Sequence, residues 1–301
     1  MDEGQGRARG EGQDGRDAAA RRRRGAEDRT RKEVKPRAPR APAKGGPRNK
    51  PSNASSAPRH GLARVLSKQG LCSRTEAARW IQDGRVEVDG RIVRDPEFPI
   101  RSDGAQRILV DGRAIDAAPR LYLMLNKPRG LVTSTQDERG RDTVYRCFDG
   151  AGLPWLAPVG RLDKASEGLL LFSNDPAWAA GITDPDTGPL KTYHVQIDTV
   201  PDERVLTALV DGVDVEDERL RAVSVRMLRS GERNAWLEIV LDEGRNRQIR
   251  RLLAAVDIAV LRLVRVAIGE LVLGELPKGQ WRLLELAEAQ ALFSNVHVHD
   301  S

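Results

Sequence analysis

An arginine and an aspartate lie two residues apart, shortly before a run of apolar residues. Arg161 and Asp163 follow Gly160, and the run from Leu169 to Phe172 is typical of a buried strand. Charged groups at the entrance of a buried strand are costly to desolvate, so their presence needs a reason. Two interpretations remain open: a turn in which the aspartate accepts backbone N–H groups, or a carboxylate nucleophile that a neighbouring cation keeps ionised.

Two further segments carry residues that could take part in catalysis or binding. Residues 191–197 alternate between apolar and polar types, which predicts a strand with Tyr193 on its apolar face. Residues 249–256 place apolar side chains at helical spacing, and Arg247 and Arg250 flank that stripe. An arginine at the edge of such a stripe reaches into a cleft, where its charge needs an anion.

The segment around Asp163 resembles the catalytic motif of the ribosomal RNA pseudouridine synthases. The similarity extends to Ser166, to residues 168–171 and to Asn174-Asp175. Other segments resemble further motifs of that family: Asn126-Lys127-Pro128 with Gly130, Lys191 with Tyr193, Gly244 to Arg250, and Leu263 to Gly269. The resemblance implies an α+β catalytic domain at residues 119–295, built on a mainly antiparallel twisted sheet with the active cleft across its middle.

The resemblance also implies catalytic roles for three residues. Asp163 is the nucleophile, although the sequence does not decide between attack on the ribose and attack on the uracil ring. Arg250 pairs with Asp163 and keeps it ionised, and Tyr193 stacks on the uracil. The reaction exchanges one bond of the uracil for another without net redox change, so we expect neither a cofactor nor a metal.

Three more residues are implied in substrate binding. Leu263 lines the uracil pocket, and Arg161 occupies the place that the flipped uridine vacates. Arg247 stands where the motif has histidine, a variant that resembles the branch acting on large-subunit ribosomal RNA. The expected function is therefore isomerisation of a specific uridine, in large-subunit rather than small-subunit ribosomal RNA.

Residues 59–118 predict a small RNA-binding domain. A capping box at Ser73 to Glu76 starts a second helix, and Asp89-Gly90 predicts a tight hairpin. The pattern from Leu62 to Arg91 resembles the RNA-binding domain named for a small-subunit ribosomal protein, with aspartate at 89 where asparagine is usual. The basic residues expected to contact RNA are Arg59, Arg64, Lys68, Arg74, Arg79 and Arg85.

The basic character of the chain is concentrated in residues 1–58. They contain 16 Lys/Arg and 8 Asp/Glu, a net charge of +8, whereas the whole chain has 50 minus 44, or +6, so residues 59–301 are net −2. With no aromatic residue, this tail is predicted to be disordered. It is either a salt-sensitive RNA-binding extension or a solubilising one.

Other classes of protein are disfavoured. The chain has no apolar signal segment or membrane span, so we expect a cytoplasmic protein. We also expect it to be a monomer. Two distant cysteines argue against a zinc site, and His297 and His299 are expected to be incidental. Two alternatives remain. One is an N-glycosidase with Asp163 and Glu167 as paired carboxylates. The other is a non-catalytic RNA-binding factor in ribosome assembly.

Overall fold

The structure is a computed structural model that describes residues 59–101, 105–115, 118–135 and 139–293. The predicted basic tail, His297 and His299 lie outside these ranges. Within them, no helix is long and apolar enough to cross a membrane.

The first described residues form a small module of helices and short sheets. Its elements in chain order are β1 (Arg59–Gly61), α1 (Leu62–Lys68), α2 (Arg74–Gln82), β2 (Val86–Val88), β3 (Arg91–Ile92), β4 (Pro99–Arg101), β5 (Ile108–Val110) and β6 (Arg113–Ala114). Strands β3, β2, β5 and β6 form one sheet, and β1 pairs with β4. The Ser73 hydroxyl accepts a hydrogen bond from the Glu76 backbone N–H at 3.1 Å, which confirms the predicted N-cap of α2.

Two Asp-Gly turns connect strands of this module. Asp89 and Gly90 join β2 to β3 with φ angles of 50° and 76°, and Asp111 and Gly112 join β5 to β6 with 51° and 74°. Positive φ at both central residues defines the type I′ turn, whose twist matches that of the flanking strands. The predicted hairpin at Asp89-Gly90 is confirmed.

The remaining described residues are organised by a nine-stranded sheet. The elements are β7 (Tyr122–Lys127), a 3-10 helix (Val144–Phe148), β8 (Ala157–Val159), β9 (Glu167–Ser173), α3 (Pro176–Thr183), β10 (Lys191–Ile197), α4 (Glu203–Asp211), β11 (Val213–Val215), β12 (Glu218–Leu220), β13 (Ser224–Ser230), β14 (Ala235–Leu241), α5 (Gln248–Ala254), β15 (Val260–Ile268), β16 (Leu271–Val272), β17 (Trp281–Leu283) and α6 (Leu286–Ala291). The main order is β13-β14-β10-β15-β9-β7-β17, with β16 on β15 and β8 on β9. The predicted α+β fold with a mainly antiparallel sheet is confirmed.

Strand β9 lies at the centre of this sheet and is buried on both faces. Leu170 and Phe172 belong to the larger apolar core, while Leu169 and Leu171 pack on the opposite face with α3 and α6. This explains why the sequence shows a continuous apolar run here and not an alternation. The module has its own core, formed within residues 62–115, so each part buries apolar surface of its own. The domain limits 59–118 and 119–295 stay a prediction.

Gly168 is required where β9 meets β15. This contact is parallel, unlike the other pairings of the sheet, and its register is Val264 to Glu167 and Arg265 to Gly168. Gly168 has a φ of 99°, and a Cβ atom there would overlap the backbone oxygen and nitrogen of Arg265. Only glycine combines that conformation with so close an approach of two backbones.

We predict that Gly168→Ala separates these strands and destabilises the protein strongly. Gly130→Ala is the matched control, because Gly130 has nearly the same φ, 100°, but nothing within 4 Å of its Cβ position. We expect the control to cost about 1–2 kcal/mol from backbone strain alone, and Gly168→Ala to cost at least about 2 kcal/mol more. Urea unfolding measures both, and equal losses would contradict the steric argument.

Candidate active site

A cleft of about 660 Å³ opens on the sheet, and it collects residues from distant parts of the chain. All six residues predicted for catalysis and substrate binding line it: Arg161, Asp163, Tyr193, Arg247, Arg250 and Leu263. The six basic residues predicted to contact RNA do not line the cleft; they are exposed on the module. Among them, Arg85 is already engaged by the Asp111 carboxylate at 2.6 and 3.0 Å.

The loop that carries Asp163 is held by the groups beneath it. It leaves β8 through Gly160, and the Ser166 N–H donates back to the Asp163 carbonyl oxygen at 3.0 Å. The Thr133 hydroxyl donates to the Leu162 carbonyl oxygen at 2.8 Å, and Gly130 N–H donates to that of Lys164 at 2.7 Å. The side chain of Asp163 remains 38% exposed toward the cleft. The loop is therefore fixed by its backbone while its carboxylate stays available.

Lys127 fixes the end of the same loop from inside the protein. It is fully buried, at 0% exposure, and its Nζ donates to the carbonyl oxygens of Ser166 at 2.9 Å and Pro128 at 3.0 Å. Burial lowers its pKa to about 8, although the charges of Cys147, Glu167 and Asp163 oppose that shift. A buried cation thus ties the strand β7 to the start of β9.

Tyr193 and Leu263 lie side by side on the floor of the cleft. They belong to the neighbouring antiparallel strands β10 and β15, in which Tyr193 lies opposite Arg265 and Val195 lies opposite Leu263. Both side chains are buried on the face of the sheet that holds the larger core. The predicted placement of Tyr193 on the apolar face of its strand is confirmed. A flat ring held between an aromatic and an aliphatic side chain fits this floor.

The ion pair of Asp163 differs from the expected one. Within the described residues its carboxylate pairs with Arg247, at 3.6 Å between Oδ2 and Nη1. Arg250 Nη1 donates instead to the Val260 carbonyl oxygen at 3.3 Å, and its Nε is buried without a hydrogen-bond partner. Burial lowers the pKa of Arg250, the charge of Arg247 adds to this, and Asp163 opposes it. Arg250 therefore lies close enough to Asp163 for electrostatic interaction, but the direct contact belongs to Arg247.

The backbone conformation of Arg247 explains why Arg247, and not Arg250, contacts Asp163. Arg247 is the N-cap of α5 and adopts a left-handed conformation, with φ 49° and ψ 32°. The sequence suggested that Arg247 is a helical residue at the edge of the apolar stripe of α5. Because its backbone is left-handed, Arg247 is not part of that helix. A positive φ is uncommon for a residue with a long side chain, and such strain concentrates at functional sites.

The position of Glu167 argues against the glycosidase alternative, in which Asp163 and Glu167 are paired carboxylates. Glu167 is 2% exposed and does not line the cleft; Arg262 binds its carboxylate with two hydrogen bonds of 2.8 and 3.0 Å, and Lys278 forms a further ion pair with it. Burial alone would raise the pKa of Glu167, but these bonds outweigh it and hold the pKa below the usual range. Glu167 therefore cannot serve as the second carboxylate of a glycosidase. Thr133, beneath the same loop, is buried as well.

Two cations of the cleft, Lys191 and Arg265, had no predicted role. A signal for both was present in the strand periodicity. Lys191 has the same parity as Tyr193 on β10, and Arg265 has the same parity as Leu263 on β15, so each shares the face of its neighbour.

Two family models match the chain. A family model described as RNA pseudouridylate synthase matches residues 121–255, and the S4 domain model matches residues 61–106. The chain is 34% identical over 237 residues to an uncharacterized RNA pseudouridine synthase of Aquifex aeolicus, covering 78% of this chain and 94% of that protein.

Two further relatives are similar over a comparable length. The chain is 31% identical over 234 residues to the ribosomal large subunit pseudouridine synthase B of Bacillus subtilis, covering 77% of this chain and 94% of the relative. A crystal structure described as that of a pseudouridylate synthase superimposes with a TM-score of 0.54 at 29% identity, covering 77% of this chain and 99% of the other.

The buried charge of Lys127 predicts a measurable dependence of stability on pH. The unfolded lysine has a pKa of about 10.4, above the folded value of about 8. Between these values the unfolded state binds more protons, so this residue makes stability rise with pH. We expect the unfolding free energy of the wild type, relative to Lys127→Met, to increase by about 2.5 kcal/mol between pH 8 and 10.4. A pH-independent difference in urea unfolding would refute the assignment.

Proposed function

The chain belongs to the RNA pseudouridine synthase family, and we propose that it isomerises one specific uridine of large-subunit ribosomal RNA through Asp163. The observation that carries the proposal is the placement of Asp163. Its half-exposed carboxylate opens into the cleft beside Arg247, above a floor formed by Tyr193 and Leu263. A nucleophile, a cation and a slot for a base are thereby assembled at one site.

The bonds that break and form in this reaction determine the role of each residue in the cleft. The C1′–N1 bond of uridine breaks, the uracil turns, and a C1′–C5 bond forms while a proton leaves C5 and another reaches N1. Asp163 forms a transient covalent bond, either to C1′ of the ribose or to C6 of the uracil. We propose that Tyr193 and Leu263 hold the ring, that Arg247 orients the Asp163 carboxylate by direct contact, and that Arg250 attracts this carboxylate at longer range.

The target uridine has to leave its stack to reach Asp163, which costs a few kcal/mol. Arg161 is exposed at the rim of the cleft, where its side chain can fill the vacated place. We propose that the module, residues 59–118, contributes the compensating contacts to phosphates through Arg59, Arg64, Lys68, Arg74 and Arg79, and that residues 119–295 form the catalytic domain of a monomer. Arg85 contributes less, because Asp111 already neutralises it.

Two observations support large-subunit rather than small-subunit RNA. Arg247 replaces the histidine of the motif, as in the large-subunit branch that the sequence resembles. The Bacillus subtilis relative is named a large-subunit synthase.

We predict that the wild type produces one new pseudouridine in a large-subunit rRNA transcript and none in a small-subunit transcript. Chemical adduct formation and primer extension would map the site. Asp163→Asn should lower the single-turnover rate by on the order of 10³-fold or more, because the nucleophile is lost. Asp257→Asn is the control, since Asp257 is an exposed carboxylate outside the cleft, with a φ of 58° that asparagine also adopts.

Three outcomes would revise the proposal. A site in the small-subunit transcript alone would correct the substrate. Full activity of Asp163→Asn would remove Asp163 from the chemistry. Tight RNA binding without any pseudouridine would favour the assembly factor, or a substrate that exists only within a ribosomal precursor.

We also predict that stability and activity separate at Arg247. Arg247→Gly and Arg247→Ala should each lower the single-turnover rate by about 10- to 100-fold, since both remove a charge-assisted contact with Asp163. Only glycine relieves the left-handed strain, so Arg247→Gly should be more stable than Arg247→Ala by about 1 kcal/mol.

Asp257→Gly and Asp257→Ala form the matched pair, because Asp257 shares the left-handed conformation outside the cleft. They should show the same difference in stability with normal activity. An Arg247→Ala enzyme as fast as the wild type would show that the ion pair has no catalytic role.

A further inference from the structure

Two cations lie buried in the floor of the cleft without a carboxylate to neutralise them. Lys191 is 8% exposed and Arg265 is 6% exposed, and both line the cleft. Within the described residues neither forms an ion pair. Glu167, a buried charge on the opposite side of the sheet, does have counterions, because it forms ion pairs with both Arg262 and Lys278.

These two cations adjoin the residues that flank the proposed base. Lys191 precedes Tyr193 by two positions on β10, and Arg265 follows Leu263 by two positions on β15. Tyr193 lies directly opposite Arg265 across the strand pair. The four side chains therefore form one patch on a single face of the sheet, with the ring-holding pair beside the cationic pair.

The hydrogen bonding of the two cations is incomplete. Arg265 Nε donates to the Leu169 carbonyl oxygen at 2.7 Å, but its Nη2 is buried without a partner. Lys191 Nζ donates to the Asp242 carbonyl oxygen at a long 3.3 Å, although an ammonium group has three donors. Donors remain at the floor of the cleft for a ligand that supplies acceptors.

The electrostatic arrangement is also unfavourable without such a ligand. Burial lowers the pKa of Lys191 and the charge of Arg265 lowers it further, while the charges of Asp242 and Asp184 oppose the shift without cancelling it. Two neighbouring buried cations without a counterion destabilise a folded protein unless another function retains them. A negatively charged group in the cleft would remove this penalty.

We propose that Lys191 and Arg265 bind the carbonyl oxygens of the uracil ring and stabilise the negative charge that the ring acquires during the reaction. This rests on the proposed function. If Asp163 attacks C1′, a C1′–O bond forms, the C1′–N1 bond breaks, and its electron pair spreads over N1, O2 and O4. If Asp163 attacks C6, a C6–O bond forms and the electrons of the C5–C6 double bond move toward O4. Both routes place charge on a carbonyl oxygen.

The location favours the base over a phosphate of the RNA backbone. The neighbours of the two cations in the cleft include Ile182 and Ile268, and both cations are more than nine-tenths buried. The exposed arginines Arg161 and Arg245 occupy the rim, where a solvated phosphate can approach. Preorganised donors in a dry site are most effective where charge develops in the transition state.

The first test compares uracil with barbiturate, a uracil analogue that is an anion at neutral pH, by protein-observed NMR titration. We expect the wild type to bind barbiturate at least about tenfold more tightly than uracil. Lys191→Met and Arg265→Gln should each weaken barbiturate binding by about tenfold and weaken uracil binding by a smaller factor, because only barbiturate carries a full negative charge. Arg204→Gln, an exposed substitution on α4 outside the cleft, is the control.

Several results of this test would overturn the proposal. One is equal affinity for uracil and barbiturate in the wild type. Another is unchanged barbiturate binding in both variants. Tighter binding of inorganic phosphate than of barbiturate, with the same dependence on Lys191, would identify a backbone phosphate site instead. Circular dichroism melting checks that each variant is folded, and Lys191→Met keeps the length of the side chain should Arg265→Gln unfold.

The second test measures chemistry on the RNA that the wild type modifies. Lys191→Met should slow the single-turnover rate by about 10²-fold with RNA affinity within twofold. Sulfur is placed at O2 or at O4 of the target uridine in separate transcripts. At the oxygen that Lys191 contacts, the replacement should slow the wild type more than this variant, because the variant has lost that contact. If Lys191→Met is slow, but sulfur at O2 and sulfur at O4 each slow it as much as they slow the wild type, then Lys191 has a structural role only. The barbiturate titration needs no RNA, so failure of the proposed function is distinguishable from failure of this inference.

Discussion

The close approach of β9 and β15 at Gly168 is the constraint on which the site depends. Strand β9 follows the Asp163 loop, and β15 carries Leu263 and Arg265. The two strands pair over only two residues, and they can do so because Gly168 has no side chain. This short parallel contact joins two antiparallel parts of the sheet. It sets the distance between the proposed nucleophile and the floor on which the base is proposed to lie.

Buried charges are paired on one face of the sheet and unpaired on the other. On the side away from the cleft, Glu167 forms ion pairs with Arg262 and Lys278. The guanidinium of Arg262 also lies 5.7 Å from the centre of the Trp236 ring. That cluster is neutralised and holds the start of β9 against β15. On the cleft side, Lys191 and Arg265 stay without counterions, and Arg250 Nε has no partner. Among the described residues of this sheet, the buried side-chain atoms without a partner belong to Arg250 and Arg265, which line the cleft where a substrate is proposed to bind. Such a cost is useful at a binding site.

The sequence predicted those features whose signals are local. The Ser73 cap, the Asp89-Gly90 turn and the parity of Tyr193 follow from a few adjacent residues, and the structure confirms each. The pairing of Asp163 was not predictable in this way, because α5 starts at Gln248 and Arg247 has a left-handed backbone to which helical spacing does not apply. The supports of the loop, Lys127 and Thr133, were also missed. Their partners are 39 and 29 residues distant, and no periodicity records such contacts.

The pairing of β9 with β15 also bears on the order in which a growing polypeptide folds. Gly168 and Arg265 are nearly a hundred positions apart, so this contact belongs to the slow class of long-range strand pairings. The strands of the module are close in sequence, and its core is complete within residues 62–115. During synthesis from the amino terminus, the module has all of its core before β10 exists, whereas the cleft has to wait until β15 leaves the ribosome. The nascent chain thus acquires the exposed basic residues of the module well before it acquires the cleft in which the uridine is proposed to bind.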